Sequence, residues 1–163
     1  MPVQEAWGLS MSHHSISWSS RQLDIVMWLA RGLSNTEIAA QMGLQPSTVR
    51  SHLRKISREN GVSTRAGIVG YACRRNLLTS IECGGRSRKP LTGRQEQVLE
   101  AISIGLTNKE IGRKIYLAPD TVKCHTRRLC KALGVTTRAQ AVAVAYNLGL
   151  LQVDRAEESS PEN

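Results

Sequence analysis

The sequence contains no phenylalanine, and aromatic residues make up only 4% of it. It also lacks the alternation of β-branched or aromatic with polar residues that marks half-buried strands. No run of 18 apolar residues is present, so no transmembrane helix is expected. The first residues lack the charged and apolar regions of a signal peptide. The sequence therefore predicts an all-α, cytoplasmic protein with no membrane partner.

Patterns of catalytic or metal-binding residues are scarce as well. The four cysteines, Cys73, Cys83, Cys124 and Cys130, form no CxxC pair and have no zinc-site spacing. No nucleophile–base pair, carboxylate pair or phosphate-binding loop is recognisable. We therefore expect no enzymatic activity, no metal and no cofactor, and we interpret the cysteines as free thiols in a reducing compartment.

What the chain does contain is positive charge and an internal repeat. Its 22 Lys and Arg and 13 Asp and Glu give a net charge of +9, which favours a polyanionic partner. Residues 21–78 align without a gap on residues 94–151, and 22 of the 58 aligned positions are identical. This period exceeds the roughly 20–50 residues of a solenoid repeat, so each copy is predicted to be a small domain.

The repeat divides the chain into five segments. We predict a flexible arm over residues 1–17, a first domain over 18–78, a linker over 79–90, a second domain over 91–151 and a disordered acidic tail over 152–163.

Helix-start signals indicate four helices in each domain. Capping boxes are recognisable at Ser19–Gln22, Ser34–Glu37, Thr92–Gln95 and Thr107–Glu110. A proline at the favoured first position opens each third helix, and a glycine follows its end. Gly67 and Gly70 each cost about 1 kcal/mol relative to Ala in the fourth helix of the first domain. That helix is therefore expected to be the softest element of its domain.

The third helix of each domain combines an apolar face with a basic face. In the second domain Val122, Leu129 and Leu133 recur at roughly helical spacing. Lysines and arginines occupy the opposite side, and the stretch that begins at Thr48 repeats the arrangement. The major groove of DNA is about 12 Å wide and admits one α-helix. Both third helices are therefore predicted to read DNA. A linker of about 12 residues can reach about 40 Å, enough for neighbouring half-sites about 34–36 Å apart.

Four motifs, present in both copies, carry a family resemblance. They are a Ser/Thr-x-Arg opening, a Gly-Leu-Ser/Thr-Asn-x-Glu-Ile turn into helix two, a Thr-Val-Lys/Arg-x-His third helix and a closing Gly-Val-x-x-Arg-Ala. In these motifs the chain resembles LuxR/GerE-type helix-turn-helix DNA-binding domains, present as two tandem copies. The resemblance implies four helices per domain, with helix three as the recognition helix and helix four often at a dimer interface.

The resemblance also implies DNA-contacting residues. Base-edge positions would be Arg50, Ser51 and Arg54 in the first domain, and Lys123, Cys124 and Arg127 in the second. Arg or Lys can donate to guanine O6 and N7, and residues four apart share a helix face. The remaining DNA-binding candidates, for phosphates or at the helix start, are Lys55, Arg58, Arg128, Lys131, Thr48 and Thr121. The N-termini of helices two and three should also offer amides to phosphate.

Together these features predict a sequence-specific transcriptional regulator, bacterial or from a phage, that binds double-stranded DNA. The two recognition helices differ, so two unlike half-sites are expected, in an imperfect or direct-repeat site. Only about 17 residues precede the first domain, so no folded sensor is expected. The fourth helices, with Val144 and Tyr146, could form a pseudo-dimer within the chain or a homodimer. The alternative is a protein-interaction regulator that acts on RNA polymerase or a sigma factor, with the more divergent first domain repurposed.

Overall fold

The computed structural model describes residues 18–78 and 90–152, and every regular element in these residues is an α-helix. The first unit contains α1 (Ser20–Ala30), α2 (Asn35–Met42), α3 (Pro46–Asn60) and α4 (Arg65–Arg74). The second contains α5 (Gly93–Ser103), α6 (Asn108–Ile115), α7 (Pro119–Leu133) and α8 (Arg138–Asn147). The predicted all-α fold with two tandem four-helix units is confirmed. The predicted arm, linker residues 79–89 and tail residues 153–163 lie outside the described residues.

The two units are built alike. Each helix of the second unit begins and ends 73 positions after its counterpart in the first, for example α7 (Pro119–Leu133) after α3 (Pro46–Asn60). Within each unit the third helix packs on the first two helices. The apolar residues of both units belong to one buried cluster. Within the described residues, no helix is both long and apolar enough to span a bilayer.

Side-chain caps begin the first two helices of each unit, and all four predicted capping boxes are confirmed. At α2 the Ser34 amide donates to the Glu37 carboxylate at 2.7 Å, and the Glu37 amide donates to Ser34 Oγ at 3.3 Å. The hydrogen bonds from Ser34 lower the pKa of Glu37, and those from Thr107 lower the pKa of Glu110. The helix starts therefore follow from local sequence, because each cap satisfies amides that the helix itself cannot bond.

The two units pack against each other through their fourth helices. α4 and α8 are in contact, α4 also contacts α5, and α8 in turn contacts α1. Equivalent residues of both units line a pocket of about 380 Å³ at this junction, among them Leu29 with Ile102 and Leu33 with Leu106. Such reciprocal contacts are those of an isologous pairing, so the two units are related by an approximate twofold rotation.

The glycines of α4 take part in this packing. A β-carbon at Gly67 would lie 2.6 Å from the Cα of Gly105, and one at Gly70 would lie 1.9 Å from the carbonyl oxygen of Ser103. The sequence predicted only a cost in helix propensity at these two positions. The structure adds a reason for their presence, since only glycine lets the α4 backbone approach the end of α5 so closely.

Candidate nucleic-acid interface

The helices α3 and α7 each bury one face and expose the other. The buried residues are Val49, Leu53 and Ile56 in α3, and Val122, Thr126, Leu129 and Leu133 in α7. In both helices the buried positions recur at three- or four-residue intervals, which leaves the opposite face free of core contacts. This geometry allows each helix to lie in a groove without disturbing the core of its unit.

Nearly all of the predicted DNA-binding side chains lie on the exposed faces. The exposed residues are Arg50, Ser51, Arg54, Lys55 and Arg58 in α3, and Thr121, Lys123, Cys124, Arg127, Arg128 and Lys131 in α7. Only Thr48 is half-buried. The fold therefore gathers the candidates of each unit on one continuous surface, which carries four cationic side chains in each helix.

Two of these side chains in α3 already have partners within the helix. Ser51 Oγ donates to the carbonyl oxygen of Ser47 at 3.0 Å, so its hydroxyl offers an acceptor more readily than a donor. Lys55 Nζ lies 3.9 Å from Glu59. An exposed ion pair of this kind contributes little to stability, so Lys55 can exchange Glu59 for a phosphate at small cost.

The four N-termini that were predicted to offer amides to phosphate are not equivalent. Glu37 at α2 and Glu110 at α6 place a carboxylate in the first turn, which disfavours an anion there, contrary to the sequence prediction. α3 and α7 begin at Pro46 and Pro119 without a side-chain cap. α7 carries Asp120 in its first turn, whereas α3 has no acidic residue there. Of the four, the N-terminus of α3 is the most suitable for phosphate.

One arginine in each unit, without a predicted role, holds the helix-turn-helix of that unit in place. Arg65 at the start of α4 donates to Asn35 Oδ1 and, at 3.0 Å, to the carbonyl oxygen of Leu33. Arg138 at the start of α8 likewise donates to Asn108 Oδ1 and, at 3.4 Å, to Thr126 Oγ1.

Burial lowers the pKa of both Arg65 and Arg138, but an arginine stays charged in a protein. Each guanidinium therefore ties the last helix of its unit to the start of the second. The signal in the sequence was that this Asn and this Arg are identical in both copies at the same offset.

The cysteines and histidines of the described residues do not form a metal site. No group of three His, Cys, Asp or Glu side chains in residues 18–78 and 90–152 could hold an ion. Cys124 is exposed on the basic face of α7, whereas Cys73 is buried and Cys130 half-buried. Burial raises the pKa of the Cys130 thiol, and the nearby charge of Arg138 offsets part of this rise.

Comparison with known proteins agrees with this arrangement. The family model described as bacterial regulatory proteins, luxR family, matches twice, over residues 17–72 and 89–145. The chain belongs to the luxR family of bacterial regulatory proteins. Each match contains the first three helices of one unit, the third of which is the recognition-helix candidate, α3 or α7. No solved structure matches the chain significantly.

Several curated relatives are similar to one part of this luxR-family chain. It is 44% identical over 61 residues to a probable transcriptional regulatory protein NarL of Mycobacterium tuberculosis, covering 37% of this chain and 28% of that protein. It is 34% identical over 89 residues to the uncharacterized transcriptional regulatory protein YxjL of Bacillus subtilis, and this match covers 55% of this chain and 39% of YxjL. It is 38% identical over 65 residues to AlkS, an HTH-type transcriptional regulator of Alcanivorax borkumensis, and this match covers 40% of this chain and 8% of AlkS. The chain thus spans less than half the length of each.

Proposed function

We propose that this protein is a sequence-specific transcriptional regulator that binds double-stranded DNA with α3 and α7 in two major grooves. The observation that carries the proposal is the pair of equivalent helices, each with a buried apolar face and four exposed cationic side chains. A phosphate backbone attracts such a face, and base edges in the major groove are within reach of its arginines and lysines. The transcriptional regulators among the relatives support the same function.

The roles of individual side chains follow from their position on the helices. Arg50, Ser51 and Arg54 are proposed to face base edges in one half-site, and Lys123, Cys124 and Arg127 in the other. The flanking Lys55, Arg58, Arg128 and Lys131 are proposed to contact phosphates, which set the register of the protein but carry no sequence information. Thr48 and Thr121 lie in the first turns and complete each surface.

The orientation of the two half-sites is proposed from the packing of the units. Twofold protein symmetry is mirrored by an inverted repeat in the DNA, and the reciprocal contacts of α4 and α8 supply an approximate twofold. This favours an imperfect inverted repeat over a direct repeat. The two halves should differ in sequence, because α3 presents Arg50, Ser51 and Arg54 where α7 presents Lys123, Cys124 and Arg127.

Selection from a randomised duplex pool tests the proposal. The intact chain at two salt concentrations should enrich one site with two unlike, inverted halves. Arg54→Glu should abolish the preference in one half and Arg127→Glu in the other, since a bidentate base contact contributes about 1–3 kcal/mol of discrimination. Arg75→Glu is the matched control, because it changes the net charge equally at an exposed arginine outside α3 and α7.

Two outcomes would contradict the proposal. Enrichment of no motif, together with steep salt dependence, would indicate phosphate binding without sequence reading. A variant Arg50→Glu/Arg54→Glu that binds the selected site as tightly as the wild type would indicate that α3 does not face DNA. The first unit would then be assigned to a protein partner such as RNA polymerase or a sigma factor, to be identified by crosslinking with that variant.

A further inference from the structure

The pocket at the junction of the two units is apolar and large enough to hold a small molecule. Its volume of about 380 Å³ falls within the range of about 300–1,000 Å³ that is usual for small-molecule sites. Three apolar side chains of each unit line it, namely Leu29, Leu33 and Ala66 of the first and Ile102, Leu106 and Ala139 of the second. Because a buried water needs polar partners, these walls favour an apolar occupant over water.

Two arginines, Arg65 and Arg138, also line the pocket, and neither has an acidic partner. Within residues 18–78 and 90–152, no carboxylate oxygen lies within 4 Å of either guanidinium. Their hydrogen bonds go to neutral oxygens, and N–H groups remain unused because a guanidinium has five of them. Burial lowers the pKa of both arginines, as expected for charges that leave water without being neutralised. An anionic group in the pocket would supply the missing counter-charge.

From these two properties we propose that the junction pocket binds a small apolar molecule that carries one carboxylate. At about 30 Å³ for each water-sized group, the pocket accommodates about a dozen non-hydrogen atoms, as in a medium-chain fatty acid. The apolar body lies between the leucine and isoleucine side chains. The carboxylate accepts a hydrogen bond from Arg138, which is less exposed than Arg65 and therefore interacts with an anion more strongly.

Other classes of ligand fit the pocket less well. A cation would be repelled by Arg65 and Arg138, and a neutral apolar molecule would gain nothing from their charge. A sugar or a nucleotide would place its hydroxyl and amide groups against apolar walls, which costs free energy when these groups find no hydrogen-bond partner. An apolar monocarboxylate matches both the walls and the charge.

The position of the pocket connects its occupant to both units. Equivalent residues of the two units form its walls, for example Leu33 and Leu106, so one bound molecule contacts both units at once. A ligand that binds only this arrangement of the units stabilises it by mass action. The chain thus has a small-molecule site of its own, although the sequence predicted no folded sensor. The proposal does not depend on DNA binding.

Titration of the intact chain with decanoate tests the proposal, with calorimetry and thermal unfolding as readouts. Decanoate should bind with a stoichiometry of one and a dissociation constant below about 1 mM, and it should raise the thermal midpoint. Acetate lacks the apolar body and decyltrimethylammonium carries the opposite charge, so neither should bind. Absence of decanoate binding up to about 1 mM, equal binding of decyltrimethylammonium, or several decanoate molecules per chain would overturn the proposal.

Arg138→Gln tests the role of the positive charge, with Arg75→Gln as the matched control. Arg138→Gln should weaken decanoate binding roughly tenfold, the usual effect of losing a hydrogen bond to a charged group. Arg75→Gln makes the same change of charge at an exposed arginine outside the pocket and should leave the dissociation constant unchanged. Equal weakening by the two variants would indicate a general attraction of the basic chain for anions and would refute the site.

A second variant keeps the test decisive if Arg138→Gln loses helix content. Leu106→Trp retains both arginines and adds volume at a half-buried residue of the pocket wall. It should abolish decanoate binding while circular dichroism shows the helix content of the wild type. An unchanged affinity for decanoate in this variant would place the ligand elsewhere and overturn the proposal.

Discussion

Gly112 on α6 offers a test in which helix propensity and packing predict opposite signs. A β-carbon at Gly112 would lie 2.4 Å from the carbonyl oxygen of Leu117, about 1 Å short of the 3.4 Å at which ordinary contact begins. Leu117 lies in the turn that leads to Pro119, the first residue of α7. Relief of the overlap must therefore move the start of the recognition-helix candidate. The equivalent residue of the first unit is Ala39, which is buried.

The expected magnitude follows from these two effects. Propensity alone would make Gly112→Ala more stable by about 1 kcal/mol, whereas overpacking costs typically about 1–3 kcal/mol. We expect a net loss of about 1 kcal/mol in the free energy of unfolding, or about 2–4 °C in the thermal midpoint for a chain of this size. The opposite change, Ala39→Gly, should also destabilise by about 1.5–2 kcal/mol, because it loses helix propensity and a buried methyl group.

Urea unfolding of the intact chain, followed by circular dichroism, measures both variants. Opposite substitutions at equivalent positions should both lower the midpoint, and Gly112→Ala should in addition weaken binding to the half-site that α7 is proposed to read. An increase of about 1 kcal/mol in the free energy of unfolding for Gly112→Ala would show that helix propensity, and not packing, determines the effect. The overlap with the Leu117 carbonyl oxygen would then not determine the stability of this variant.

Three further predictions concern other parts of the fold. Hydrogen bonding lowers the pKa of Glu37 and Glu110 in the folded chain. Their contribution to stability is therefore present above the unfolded pKa of about 4.3 and is lost as the pH falls through the folded pKa. A Glu37→Gln/Glu110→Gln chain should therefore lose less thermal stability than the wild type between pH 6 and pH 3. Arg138→Ala should destabilise the chain by about 1–2 kcal/mol in urea, and Arg138→Lys should restore only part of this loss. Cys124 should react with iodoacetamide at pH 7.5 faster than the partly buried Cys130, as peptide mass spectrometry would show; equal rates would contradict the exposure of Cys124.

Local features of the fold could be predicted because the interactions that cause them are local. Capping boxes such as Ser34–Glu37 connect residues three positions apart, and Pro46 and Pro119 open their helices through their own ring geometry. The exposure of Arg54 or Arg127 follows from helical spacing alone. These effects require no knowledge of distant neighbours, so a single sequence contains them.

The role of Arg65 and Arg138 could not be predicted in this way. Each guanidinium reaches an asparagine 30 positions earlier in the chain, and no local pattern indicates such a contact. Repetition of the pair in both copies marked these residues but did not say what they bind. The unequal N-termini of α2 and α3, by contrast, were already present in the sequence, since the capping box at Ser34–Glu37 puts a carboxylate in the first turn of α2 and no acidic residue follows Pro46 in the first turn of α3.

The sequence by itself determined the eight helices, their division into two equivalent units and the basic faces of α3 and α7, because periodicity, capping and repetition act over short distances. Tertiary structure alone decided how the units meet. Gly70 was predicted only to weaken its helix, whereas the structure places the Ser103 carbonyl oxygen against it. Arg74 had no predicted role, and in the structure it reaches the hydroxyl of Tyr146, 72 positions away. The physical reason is that close approach of two backbones depends on the relative placement of whole helices, which no local sequence pattern specifies.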